Sequence, residues 1–269
     1  MRLKITAVIL LVFSTSLVVS AQRVLENNPD VTGVDIVENF GAQVPADLTF
    51  VNEKGDSLQI GSLFNKGKPI LLSLVYYQCP MLCTLVLNGK VNGMRQLAWL
   101  PGAEYQAVSI SIDPSETPTL AADKKDRYLK SLDKSNVDEE GWTFLVGAED
   151  QIKKLADTLG FHYFYDQEKE QYAHPAVLFL LAEDGTITRY LYGIEYKEQD
   201  LRLGLLEASQ GKIGNALDRL ILYCYQYDPG EKGYVVFAGN VMRIGGTITL
   251  ICIIFLLAML WMRERKRHA

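Results

Sequence analysis

The stretch Leu71-Leu72-Ser73-Leu74-Val75-Tyr76-Tyr77-Gln78-Cys79-Pro80-Met81-Leu82-Cys83-Thr84-Leu85 decides how this chain is read. An apolar run of strand character breaks at Gln78. Two cysteines follow with three residues between them, the first backed by a proline suited to a helix's first turn. The pattern predicts strand, elbow, helix. With Pro80 opening the helix, Cys79 lies at its N-terminus and Cys83 one turn on, so both sulfurs share a face beside the positive end of the helix dipole. Thiols in that position ionise easily. The competing reading is a structural disulfide or two buried small residues, which an exposed elbow after a buried strand disfavours.

Working outward, Leu58 to Phe64 form a short element before the turn Asn65-Lys66-Gly67-Lys68-Pro69, and the strand itself runs over 70–77. Behind the cysteines, Leu85, Val91, Met94, Leu97 and Ala98 recur at helical spacing until Pro101-Gly102. A strand from Tyr105 to Ile112 runs into Asp113-Pro114, and Thr117 or Thr119 caps a helix over about 118–132. Trp142 to Val146 reads as a strand, Glu149 to Leu159 as a helix stopped by Gly160, and Phe161 to Tyr165 as a short extended piece. Ala176 to Leu181 and Thr186 to Tyr190 pair as a hairpin around Glu183-Asp184-Gly185, and Leu201 to Ala208 begin a closing helix. Strands alternating with helices and ending in a hairpin plus helix predict an α/β fold with a central mixed sheet flanked by helices.

The two ends read differently. Residues 1–21 carry Arg2 and Lys4, an apolar run from Ile5 to Val19, and Val19-Ser20-Ala21, a small-residue cleavage pattern; this predicts a signal peptide, with an uncleaved anchor as the alternative. Residues 244–262 hold no charge and are long enough to cross a bilayer, and the tail 263–269 carries the basic run that marks the cytoplasmic side. The domain between then faces outward. Of the whole-chain charge of −5, Arg2 and Lys4 carry +2 and residues 263–267 carry +3, so the stretch between holds −10. Such an acidic domain excludes nucleic acid as a partner.

The outward compartment permits disulfides, but the chain has 4 cysteines, Cys79, Cys83, Cys224 and Cys252, the last inside the expected span. This is no disulfide-stapled scaffold. Of the 3 histidines, His268 is in the tail and His162 sits at a helix-to-strand junction with a surface or structural role. His174 precedes the apolar strand that starts at Ala176 and so projects at the sheet's edge.

Three stretches together resemble the Sco/SenC family: Tyr77-Gln78-Cys79-Pro80-Met81-Leu82-Cys83, Ser111-Ile112-Asp113-Pro114 with Thr117-Pro118 behind it, and His174 ahead of Val177 to Gly185. The match covers about residues 40–208. The resemblance implies a thioredoxin-like copper protein, membrane-tethered, that assists cytochrome c oxidase assembly. It makes Cys79, Cys83 and His174 the ligands of Cu(I) and Cu(II), and puts Asp113 in a loop near the site. Taken with the reading of the two ends, the expected organisation is a lead-in over 22–45, a copper-binding domain over 46–208, an extension over 209–243 and a C-terminal transmembrane helix over 244–262. The implied partners are cytochrome c oxidase subunit II and an upstream copper donor or thiol reductant, met on the periplasmic side of the inner membrane.

The chain departs from the family pattern in its C-terminal anchor, in a loop after Asp113 one residue shorter with Glu116 where an aspartate is common, and in Pro175 behind the histidine. In the extension, Gln226 stands where longer members carry histidine, so no metal role passes to it. Cys224 is open between a buried apolar residue, an accessory ligand and a redox partner.

The donor chemistry agrees with copper: thiolates hold Cu(I) and an added nitrogen helps hold Cu(II), whereas structural zinc wants four ligands and this set supplies three. The alternative function is a thiol-disulfide oxidoreductase, with Cys79 as nucleophile and Cys83 resolving. A thiol peroxidase fits less well, because no arginine lies near the cysteines in the sequence.

Overall fold

The strands are β1 (Thr49–Asn52), β2 (Ser57–Gln59), β3 (Ile70–Val75), β4 (Gln106–Ser111), β5 (Trp142–Val146), β6 (Phe164–Asp166), β7 (Gln171–Ala173), β8 (Val177–Leu181), β9 (Ile187–Tyr192), β10 (Tyr225–Asp228) and β11 (Gly233–Val236), the most apolar of them, β3, β5 and β8, lying inside the main sheet. The helices are α1 (Leu82–Gln96), α2 (Pro118–Leu132), α3 (Glu149–Thr158), α4 (Glu198–Ala208), α5 (Ala216–Cys224) and α6 (Ala238–His268). The computed structural model describes residues 33–78, 82–135, 137–210, 214, 216–228, 230 and 233–268, and of residues 82–84, 216, 217, 219, 220 and 263–268 only the backbone. The expected signal peptide therefore lies outside the described residues, as does Pro80.

Seven strands form one mixed sheet in the order β2-β1-β5-β4-β3-β8-β9. β3 pairs in parallel with β4, and β4 with β5, while β8 runs antiparallel to β3 and β9 antiparallel to β8. Each parallel step is bridged by a helix, α1 and then α2, as parallel neighbours require. β3, β4 and β8 are buried along their whole lengths because both faces are covered. α1 packs between α2 and α4 on one face. On the other, Phe161 meets Phe179 and Phe40 meets Tyr190, both edge to face. This is the expected α/β architecture.

Close backbone approach explains two glycines of α1. A Cβ on Gly89 would stand 2.0 Å from the carbonyl oxygen of Ile194, and one on Gly93 2.2 Å from Leu201 Cδ1. Helix α1 thus lies hard against the segment that leads from β9 into α4, and the cysteine end of the helix is placed by that contact.

Several elements differ from expectation. β3 ends at Val75, two residues early, because Tyr77 and Gln78 turn out of the ladder to hydrogen-bond a side chain of the neighbouring loop. The piece expected over 161–165 is one arm of a second hairpin, β6–β7. A hairpin, β1–β2, lengthens the sheet beyond β5, and the short element expected at 58–64 is divided between the end of β2 and a turn of 3-10 helix over Ile60–Leu63. Helix α4 starts three residues before Leu201, with Glu198 and Asp200 favourably placed in its first turn. Thr117 is the cap of α2, its side chain accepting from the backbone of Leu120.

Beyond Ala208 the chain adds α5 and the hairpin β10–β11, then α6. The most apolar 18 residues within Ala238–Met262 have a mean hydropathy of 2.4 and none of them is buried, so α6 is a candidate membrane span. It begins six residues before the uncharged run that predicted it.

Candidate metal centre

The C-terminal ends of β3 and β4 and the N-terminal end of β8 lie side by side at one edge of the sheet, where ladder order brings distant loops together. His174 lies just before β8 and Asp113 just after β4, at these ends. Cys79 follows β3 and lies outside the described residues. Cys83 is in the first turn of α1, with only its backbone described. Among the described residues no group of three or more His, Cys, Asp or Glu is gathered as a metal cluster.

His174 is 3% exposed and sits between two rings. Its centroid lies 6.0 Å from that of Tyr76 and 6.0 Å from that of Phe161. Tyr76 is three residues before Cys79. The Nδ1 of His174 is 3.0 Å from the Pro175 carbonyl oxygen, so Nδ1 carries the proton and donates it there. This tautomer has its lone pair on Nε2, the arrangement of a histidine ligand whose second nitrogen is held by a carbonyl.

Sequence reasoning missed a buried carboxylate that ties two loops of this edge together. Glu116 is 6% exposed and gathers three donors: the backbone N–H of Tyr77 on Oε2 at 2.8 Å, that of Gln78 on Oε1 at 2.6 Å, and the Ser111 hydroxyl on Oε2 at 2.6 Å. Burial pushes its carboxyl above the usual range, and the three donors oppose that shift. Asp113 instead closes its own loop, accepting from the N–H and hydroxyl of Ser115 at 2.8 and 2.6 Å. The signal for Glu116 was its position: in parallel neighbours, the loop after β4 must abut the loop after β3.

A second buried group lies beneath α1. Lys90 is 0% exposed and donates to the Val108 carbonyl at 2.7 Å and to Ser73 Oγ at 3.1 Å, with its ammonium 5.4 Å from the Trp142 ring centroid. Burial holds its amine well below the usual lysine range. His162 is half-exposed and pairs with Asp35 at 2.5 Å, away from His174 in role. Cys224 is a half-buried free thiol in the extension.

A family model described as SCO1/SenC matches residues 37–202. The chain belongs to the SCO1/SenC family. That family takes part in copper delivery and cytochrome c oxidase assembly. Among solved structures, an Aquifex aeolicus protein described as an electron transfer protein is 25% identical, with a TM-score of 0.56 over 63% of this chain and 94% of its own. A second Aquifex aeolicus structure, described as an electron transport protein, is 26% identical with a TM-score of 0.52, covering 63% of this chain and 98% of its own. A SCO1/SenC family lipoprotein of Bacillus anthracis, 16% identical with a TM-score of 0.50 over 65% of this chain and 98% of its own, shares the fold. The comparison with curated proteins returned no match. The family match ends at residue 202, within α4, so α5, β10–β11 and α6 stand outside it.

Proposed function

We propose that this chain is a membrane-anchored copper metallochaperone that takes its cargo through Cys79, Cys83 and His174 and assists assembly of the dinuclear copper site of cytochrome c oxidase subunit II. The observation that carries the reading is His174: buried, ring to ring with Tyr76, and held by Pro175 in the tautomer that offers Nε2 to a metal. From Tyr76 to Cys79 the chain spans three residues, a reach of at most ~11 Å. Two thiolates beside one imidazole suit Cu(I) and, through the nitrogen, Cu(II). A three-donor site leaves a side from which the metal can be passed on.

In this reading α6 crosses the membrane, the basic run 263–267 remains on the cytoplasmic side, and the copper domain faces the periplasm. The test of function is copper-supplemented growth of a deletion strain. Added copper should restore oxidase activity. Restoration by an added reductant and not by copper would remove delivery from the reading.

The pair Cys79 and Cys83, with three residues between them, supports a second reading, a thiol-disulfide oxidoreductase. The Cys79 thiolate would attack a disulfide of subunit II, and Cys83 would then displace the mixed disulfide, so that the pair is oxidised as the partner gains two thiols.

A further inference from the structure

The segment that joins the domain to α6 has no slack. β10 and β11 pair from Tyr225↔Val236 to Asp228↔Gly233, and the hairpin is tied to the domain at three points. Tyr227 donates to the Tyr190 carbonyl at 3.0 Å, Tyr234 donates through its hydroxyl to Glu207 at 2.5 Å, and the Tyr234 N–H donates to Asp200 at 3.0 Å. Glu207 is in turn gripped by Arg189, whose guanidinium lies 5.1 Å from the Tyr227 ring centroid. Helix α5 is fixed by the ion pair of Arg202 with Asp218, which is 2% exposed.

A single residue, Phe237, separates β11 from α6. Its N–H donates to the Cys224 carbonyl at 2.8 Å, and the Asn240 side chain donates to the Tyr223 carbonyl at 2.7 Å. The first turn of α6 is therefore stitched to the end of α5.

This junction is apolar on its outside. Tyr223, Val236, Phe237, Val241 and Met242 are all exposed, Met242 to 75%. The uncharged run 244–262 provides ~28 Å of helix, the thickness of the hydrocarbon layer, so the residues before it fall at headgroup depth. Arg243 stands at the boundary between the two. Aromatic and apolar side chains next to a span, with a cation at the phosphate level, suit a phospholipid headgroup layer.

We propose that the exposed tip of Tyr223, Val236, Phe237, Val241 and Met242 is seated in the headgroup layer, and that the docked hairpin is a stiff strut holding the domain at one height above the bilayer. The inference rests on the reading that α6 spans the membrane. Its consequence is that a partner must present its site close to the same membrane surface, since the domain has no leash on which to search.

The test uses the full chain, with Cys79, Cys83, Cys224 and Cys252 changed to serine, in phosphatidylcholine nanodiscs holding one copy each. Spin labels are placed through Lys130→Cys, Val236→Cys, Val241→Cys and Ile253→Cys, and collisions with oxygen and with a soluble nickel chelate are compared. The label at 253 should favour oxygen, that at 130 the chelate, and those at 236 and 241 should show chelate access reduced severalfold relative to 130. Labels at 236 and 241 as accessible as 130, with 253 still buried, overturn the seating while leaving the span intact. An aqueous label at 253 removes the span itself and the inference with it. Protection of 236 that develops only with two copies per disc assigns the tip to a second copy and overturns the lipid assignment. Dipolar distances between labels at 130 and 241 should form one narrow distribution that broadens in Tyr234→Phe. A broad distribution in the parent overturns the strut.

Discussion

The carboxylate of Glu116 accepts the backbone N–H of Tyr77 at 2.8 Å, two residues before Cys79. The same carboxylate takes the next amide, that of Gln78, and so latches the loop after β4 onto the elbow that carries the first cysteine. Glu116→Ala would leave two amides and the Ser111 hydroxyl without their acceptor, at a cost of about 2–5 kcal/mol in unfolding free energy. Glu116→Gln keeps one acceptor oxygen and should cost less. Amide exchange at Tyr77 and Gln78 should quicken in both variants. Unchanged exchange at these two amides would show that the latch does not hold the elbow.

His174→Ala separates the two oxidation states of copper. Cu(I) accepts two thiolates, so it should remain bound; Cu(II) requires nitrogen and otherwise oxidises the pair, so its stable complex and its sulfur-to-copper charge-transfer band should disappear. Cys79→Ser or Cys83→Ser should greatly weaken both. Titration of the full chain with each ion reads this directly. A His174→Ala variant with the parent's Cu(II) affinity and spectrum would remove His174 from the ligand set.

Lys90 predicts a pH dependence of stability. Its amine is lowered in the folded chain from an ordinary value of 10.5, so between the lowered value and 10.5 the unfolded chain binds more protons and stability rises with pH. One such group contributes a slope of up to about 1.4 kcal/mol per pH unit. Lys90→Met fills the same volume without the charge, and should raise stability at neutral pH while flattening the slope. Urea midpoints from pH 7 to 9.5 check it; parallel curves for parent and variant would contradict the assignment.

Gly89 tests how α1 is placed. An alanine methyl would stand 2.0 Å from the Ile194 carbonyl oxygen, a backbone atom that cannot swing aside. Gly89→Ala should therefore destabilise by about 1–3 kcal/mol despite alanine's better helix propensity. Thermal unfolding that rises in the variant would mean that the helix and the 194–196 segment separate easily.

Cys224→Ser should keep one copper per chain. The thiol is half-buried in the extension, and the Cys224 group that joins α5 to α6 is its backbone carbonyl, which serine retains. Metal analysis after gel filtration measures the ratio, and a loss of stoichiometry would bring Cys224 into the site.

The sequence alone determined the alternation of strands and helices, because burial on both faces writes β8 as an unbroken apolar run and β3 as one broken only by Ser73, because β4 alternates apolar residues with small polar ones, and because Thr117 and Gly185 punctuate the chain locally. It also determined the elbow motif and the apolar C-terminal helix, whose signals lie within a few adjacent residues. The hairpin β6–β7 escaped it, since Phe164 to Asp166 and Gln171 to Ala173 are three-residue strands with no periodicity to read. Only the tertiary structure decided which polar residue serves the elbow: Glu116 is 37 residues from Cys79 in the chain, and a parallel ladder brings its loop beside Tyr77. The same holds for the strut. Tyr234 meets Glu207 because the hairpin folds back over α4, and hydrogen bonds between residues so far apart leave no periodic mark in the sequence.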